Sequence, residues 1–345
     1  MLSCHRTKPV SEDETTSVQL PNQSTDTKVT IVRESFIYEK APFPECHASS
    51  IVELGNGKMM ATWFGGTAEK NPDVTIWLSV FENGKWGEIS QIADGIQNES
   101  LRYPCWNPVL FKHSSGKLFL FYKVGPNPRE WWGEMRYSSD DGKSWSASEK
   151  LPQDQLGPVR AKPMEMSNGD LLCPSSIEYT NSNWRVQMEI YKPGTNSWDK
   201  MMVDRDSEFA VIQPTILRHS DTRLQILCRS KQNRIVEAWS EDDGRSWGKL
   251  SATSLPNPSA GIDAVTTFNG AHLLVYNPTE DGPNDRAKLS LAISGDGKSW
   301  RDVYRLEDQQ RGEFSYPAMV QTSDGLMHIT YTWHREKIKH VVLKL

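Results

Sequence analysis

The 345-residue chain is short of several things. Its five cysteines are odd in number and include no CxxC pair, which excludes a disulfide framework and a thiolate zinc site and leaves buried free thiols. No apolar run approaches the roughly 20 residues that span a bilayer. Charge of one sign is not in excess: 39 Lys and Arg stand against 44 Asp and Glu, a formal net charge of -5 with a pI near 6.0. That balance excludes a general nucleic-acid or anionic-membrane binder. Nothing in the sequence implies a cofactor. What is abundant is 13 Trp, 23 Gly and 20 Pro, in a chain with enough hydrophobic residues (37%) to bury a core. Large aromatics among frequent turn formers predict short strands and tight corners.

The N-terminus reads separately. Cys4 follows Leu2 and Ser3 and precedes a polar stretch from Thr7 to Thr27. This resembles the cleavage end of a bacterial lipoprotein signal followed by a tether. It predicts a flexible segment over residues 1–28 outside the fold, a lipid anchor at Cys4, and a periplasmic or cell-surface protein.

The remainder, 29–345, is a repeat. The run Ser138, Asp140, Gly142, Ser144, Trp145 recurs as Ser240, Asp242, Gly244, Ser246, Trp247, and one residue shorter as Ser294, Asp296, Gly297, Ser299, Trp300. Remnants end at Trp86 and Trp198, and the five tryptophans lie 59, 53, 49 and 53 residues apart. A second mark, a turn followed by an apolar strand, recurs at Gly57, Gly116, Gly169, Thr222, Gly270 and Gly325, at intervals of 59, 53, 53, 48 and 55. Each unit reads as four short antiparallel strands. Six such units predict an all-β, six-bladed β-propeller, in which radial closure removes exposed sheet edges.

The Ser-x-Asp-x-Gly-x-Ser-Trp run resembles the Asp box, or BNR repeat, of the sialidase (neuraminidase) superfamily, in particular its predicted-neuraminidase branch. Physically the motif is a turn device: Asp caps backbone N–H groups, Gly accepts positive φ and Trp packs between blades. It lacks the twelfth-position Glu of a calcium loop. The resemblance implies a sialidase-like propeller acting on glycans, with the box far from the active face.

Function must then lie on the propeller axis. The innermost strands open at X-Pro pairs 7 to 9 positions before the turn: Asn107, Lys162, Gln213 and Tyr316. His47 and Asp263, 10 and 7 positions before theirs, are assigned to the same slot, giving six polar axial residues and predicting a ligand site. The superfamily plan of three arginines on a sugar carboxylate, a Tyr–Glu nucleophile pair and an Asp general acid implies roles for several residues. Arg229 and Arg286 match the second and third arginines, Tyr316 the nucleophile and Asp73 the acid/base. Gln213 stands where the plan has Glu, and His47 where it has the first arginine. Tyr316 then needs another base, for which His47, Glu178 and Glu313 are the candidates. Trp106 and the Trp131–Trp132 pair offer stacking surfaces for sugar. Arg102, Arg160, Lys162 and His340 would add positive charge if they face the axis.

Three functions fit these residues. The first is a sialidase-like exo-glycosidase removing a terminal, acidic sugar, either sialic acid or another. The second is a non-catalytic glycan-binding propeller. The third is a polysaccharide lyase acting next to a uronate carboxylate with His47 and Tyr316 as base and acid.

Overall fold

A computed structural model describes residues 28–280 and 285–345; the expected tether and Cys4 anchor lie outside them. Among the described residues there is no helix, and none that could cross a membrane. Six antiparallel sheets form the six expected blades. Their inner strands are Glu45–Gly55, Cys105–Lys112, Met164–Glu165, Val211–Arg218, Asp263–Thr266 and Phe314–Gln321. In the sixth blade the outermost strand is not the last in sequence. Thr30–Phe36, from the start of the chain, pairs antiparallel with Lys337–Lys344, so both chain ends share one sheet and close the ring.

The cores lie between blades. Trp145 packs on an apolar cluster drawn from blades one and two, Trp198 on one from blades two and three, Trp247 on blades three and four, and Trp300 on blades four and five. The turn that aims each Trp is held from within. Ser144 N and Oγ donate to the two Asp140 carboxylate oxygens at 2.9 and 2.6 Å, and Trp145 Nε1 donates to the Gly142 carbonyl at 3.1 Å. The same bonds recur around Asp242 and Asp296. Led by the Ser144 hydroxyl, they hold the Asp140 carboxyl down at about 2. Cys46, Cys105, Cys173 and Cys228 are buried and free.

Connectivity fixes the polarity of the barrel. Each inner strand runs from the axial X-Pro end to the Gly turn, the second strand returns, and the third runs away again to the Asp box. Gly turns and Asp boxes therefore share one face, and the axial residues open on the other.

Candidate functional site

Four inner strands carry the same local distortion. Ala48, Asn107, Gln213 and Tyr316 have φ of 53°, 41°, 55° and 53°, and the strand register slips beside each. A bulge of this kind turns a side chain out of the ladder toward the axis. All four lie nine positions before their turns. The same count in blades three and five reaches Arg160 and Gly261, not Lys162 and Asp263. In blade one it reaches Ala48, with His47 one residue earlier. Three of the six slot positions are thus corrected and the slot is not uniformly polar; His47 stands one residue before it, Lys162 and Asp263 two residues after it.

Lys162 and Asp263 sit together two residues past that slot, where the inner strands of blades three to six meet. Lys162 Nζ lies 2.6 Å from Asp263 Oδ2, while Thr215 Oγ1 and the Met319 amide also donate to the Asp263 carboxylate, at 3.1 and 2.7 Å. Their charges are spent tying blades three to six. His340 is not axial. It is buried beneath Trp86, 3.1 Å from its indole nitrogen, and 3.0 Å from His328.

Tyr316 is the hub. The guanidinium carbons of Arg160, Arg286 and Arg229 lie 5.4, 5.6 and 5.7 Å from its ring centroid. His47 lies against it at a tilt of 52°, ring centroids 4.1 Å apart. Gly261 lies close beneath the ring: a Cβ there would make a tight contact of 3.2 Å with it. Arg229 donates to the Tyr316 hydroxyl at 2.7 Å, and to Gln213 Oε1 and Ser259 Oγ at 3.3 and 3.4 Å. Arg160 donates to the Pro317 carbonyl.

The charge balance is uneven. Arg286 is paired with Glu313 at 3.0 Å. Glu313 also receives Arg335, a residue the sequence reading missed, at 2.9 Å, and Arg335 reaches on to Glu69 at 2.6 Å. Burial would raise the Glu313 carboxyl, but Arg335 and Arg286 hold it below its usual range. Arg160 and Arg229, 2% and 7% exposed, have no ion pair among the described residues. Burial, reinforced by Arg335, Arg286, Arg160 and Arg229, drives His47 well below the usual histidine range, so it is neutral. Its Nδ1 is hydrogen-bonded to Thr332 Oγ1 at 3.0 Å.

Other assigned residues stand around this cluster. Asn107 is buried on the axis of blade two. Trp106 donates from Nε1 to the Gly125 carbonyl at 2.8 Å and supports Trp131 edge-on, centroids 5.9 Å apart. Asp73 is on the exposed loop after Gly66. Its carboxylate takes the Thr67 amide at 2.8 Å and the Thr67 hydroxyl, while Arg102 donates to its carbonyl. Slight burial raises that carboxyl, but the Thr67 bonds prevail and lower it. Glu178, half-buried at the end of a blade-three strand, has no salt bridge among the described residues; burial raises it despite Arg229, Lys231 and Arg129.

Comparison with known proteins places this arrangement. Residues 57–329 match the BNR repeat-like domain model. The chain belongs to the BNR repeat-like family, within the sialidase superfamily. This BNR protein is 23% identical over 234 residues to an anhydrosialidase from Macrobdella decora; the match covers 59% of this chain and 30% of that protein. It therefore spans under a third of the curated relative's length. A crystal structure of a protein of unknown function from Dyadobacter fermentans superposes with a TM-score of 0.74 at 15% identity, covering 92% of this chain and 99% of that one. The NanB sialidase of Streptococcus pneumoniae, as its K499G mutant, superposes at 0.71 and 12% identity, covering 89% and 70%. At these identities the structural likeness is one of fold.

Proposed function

We propose that this BNR protein is a sialidase-type exo-glycosidase that removes a terminal acidic sugar from a glycan outside the cytoplasm. One observation carries the reading: Arg160 and Arg229 are buried beside Tyr316 without a salt bridge among the described residues. Unpaired buried charge costs several kcal/mol unless a counter-ion arrives. A sugar carboxylate supplies that counter-ion, with Arg160 and Arg229 as its charge-assisted donors and Arg286, already paired with Glu313, beside them. Asn107 and Gln213 bind hydroxyls.

In the chemical step, the Tyr316 oxygen attacks the anomeric carbon as the glycosidic bond breaks, and Asp73 gives its proton to the departing oxygen. The phenolic proton passes to neutral His47. Burial, the larger cause of the depressed His47, persists, but the substrate's own carboxylate offsets the four arginines and makes the ring a better proton acceptor when substrate is bound. Water, deprotonated by Asp73, then attacks the anomeric carbon, and the departing Tyr316 oxygen takes its proton back from His47. Asp73 starts as a carboxylate and gains its proton as the bound glycan desolvates it.

The test is product release from fluorogenic sialic acid, glucuronic acid and rhamnose donors. Release of an acidic sugar, lost in Tyr316→Phe, is expected. Preference for rhamnose, or full activity in Tyr316→Phe, contradicts the reading. A second reading, glycan binding without turnover, is favoured by Gln213, whose amide cannot take a proton from Tyr316. Saturable binding with no release from any donor identifies it.

A further inference from the structure

The blade-one loop that carries Asp73 is tied to the last blade. Within it, the Asn71 amide donates to the Ala68 carbonyl and the Val74 amide to the Asn71 carbonyl, each at 3.0 Å, and the Thr67 amide donates to Asp73. These bonds are internal, so they shape the loop without fixing where it stands. Its outer residues are held from outside by Arg102 on the Asp73 carbonyl at 3.3 Å and by a long bond, 3.4 Å, from the Glu69 amide to Glu45. The shortest tie comes from blade six, where Arg335 Nη1 lies 2.6 Å from Glu69 Oε2.

The same guanidinium is held at its other edge. Arg335 Nε donates to Glu313 Oε2 at 2.9 Å, and Glu313 is the carboxylate paired with Arg286 beside Tyr316. One planar fork therefore spans the axial cluster and the Asp73 loop, with separate N–H groups aimed at each carboxylate. The Arg335, Glu313 and Glu69 side chains are 26%, 28% and 31% exposed, so the bridge adds little to global stability. Its use is geometric.

The backbone that presents Arg335 is strained. Residues Trp333 to Glu336 form a tight turn, closed by the Glu336 amide on the Trp333 carbonyl at 3.0 Å, with φ of 52° at His334 and 61° at Arg335. Turns with two positive φ values are normally filled by Asn, Asp or Gly. Here the neighbours enforce the conformation: the His334 amide donates to the Glu313 carbonyl and the Cys46 amide to the Arg335 carbonyl, both at 2.7 Å. Strain kept in place by such contacts points to a functional position, and the group it fixes is the Arg335 guanidinium.

We propose that Arg335 is a positioning residue: it ties the Asp73 loop to Glu313 and so sets the Asp73 carboxyl against the departing oxygen. The catalytic half of this rests on the glycosidase reading; the tether does not.

Glu69→Ala cuts the bridge at the loop and leaves Arg335, its turn and its charge in place. Arg335→Met cuts it at the centre, and Glu69→Ala carries the test if that variant fails to fold. Hydrogen exchange of the intact proteins should show the Thr67 and Asn71 amides opening about tenfold faster in both variants, with blade amides unchanged. Initial rates are read on 3'-sialyllactose, whose leaving group needs a proton, and on a methylumbelliferyl sialoside, whose leaving group needs little. Glu69→Ala should lower kcat about tenfold on the first and much less on the second, and should cost nothing further in an Asp73→Asn background. Unchanged exchange in Glu69→Ala overturns the tether. Faster exchange with equal losses on both donors, or with no loss, overturns the positioning role. Where wild type itself releases sugar from neither donor, faster exchange in Glu69→Ala supports the tether and contradicts the glycosidase reading alone.

Discussion

Arg229 donates to the Tyr316 hydroxyl at 2.7 Å with no carboxylate in ion-pair contact among the described residues: the residue 16 positions earlier, Gln213, offers only an amide oxygen, and Glu178 acts on it only from a distance. The superfamily pattern has Glu there. The amide leaves one more positive charge beside the tyrosine, which strengthens anion binding and removes a base from the phenol.

Gln213→Glu should therefore weaken the binding of an acidic sugar. A carboxylate at that position pairs with Arg229 and competes with the ligand, lowering affinity by about tenfold. Titration of free sialic acid at fixed ionic strength reads the change, and unaltered affinity counts against Arg229 as a ligand.

Asp73→Asn should separate substrates by leaving group. Loss of the general acid costs about 10²- to 10⁴-fold on a glycan linkage. A methylumbelliferyl leaving group, which departs with little protonation, should be affected much less. Equal losses on both substrates would make Asp73 a turn residue of the Thr67 loop.

Gly244→Ala should destabilise the fold and spare the site. Gly244 has φ of +80°, and a Cβ would stand 2.5 Å from Leu172 Cδ2, so the strained turn costs about 1–3 kcal/mol. The turn is on the face opposite Tyr316, so the melting temperature should fall while affinity for an acidic sugar is retained.

Ring closure should weaken in acid. Burial, then neighbouring His328, pushes His340 down to about 3; burial likewise lowers His328. These residues charge more readily unfolded, near 6.5, than folded. Their contribution is complete above pH 6.5 and is lost as pH falls from 6.5 toward 3. Melting temperatures between pH 8 and 4 should plateau and then drop, with a shallower drop in His340→Gln.

The blades were legible because each Asp box is a local device: its hydrogen bonds and positive φ all fall within about eight residues. Closure by Thr30–Phe36 was not, since pairing between the two chain ends has no local signature. In the site, the X-Pro pairs located Asn107, Gln213 and Tyr316, where proline marks the bulge. Applied without exception, their nine-residue spacing would also have found Arg160 and Gly261 and replaced His47 with Ala48. Lys162 carried the same X-Pro sign but lies two residues beyond Arg160, where its charge meets Asp263. Arg335 and Ser259 were invisible for another reason: they reach the axis from loops whose neighbours are set only when the ring closes.

The most direct test of the anion assignment is a comparison of free sialic acid with its methyl ester. The two match closely in shape and differ in the one charge that Arg160 and Arg229 lack. Binding and thermal stabilisation by the acid, with neither from the ester at equal concentration, is the expected result. Equal binding of acid and ester would contradict a site built around a sugar carboxylate.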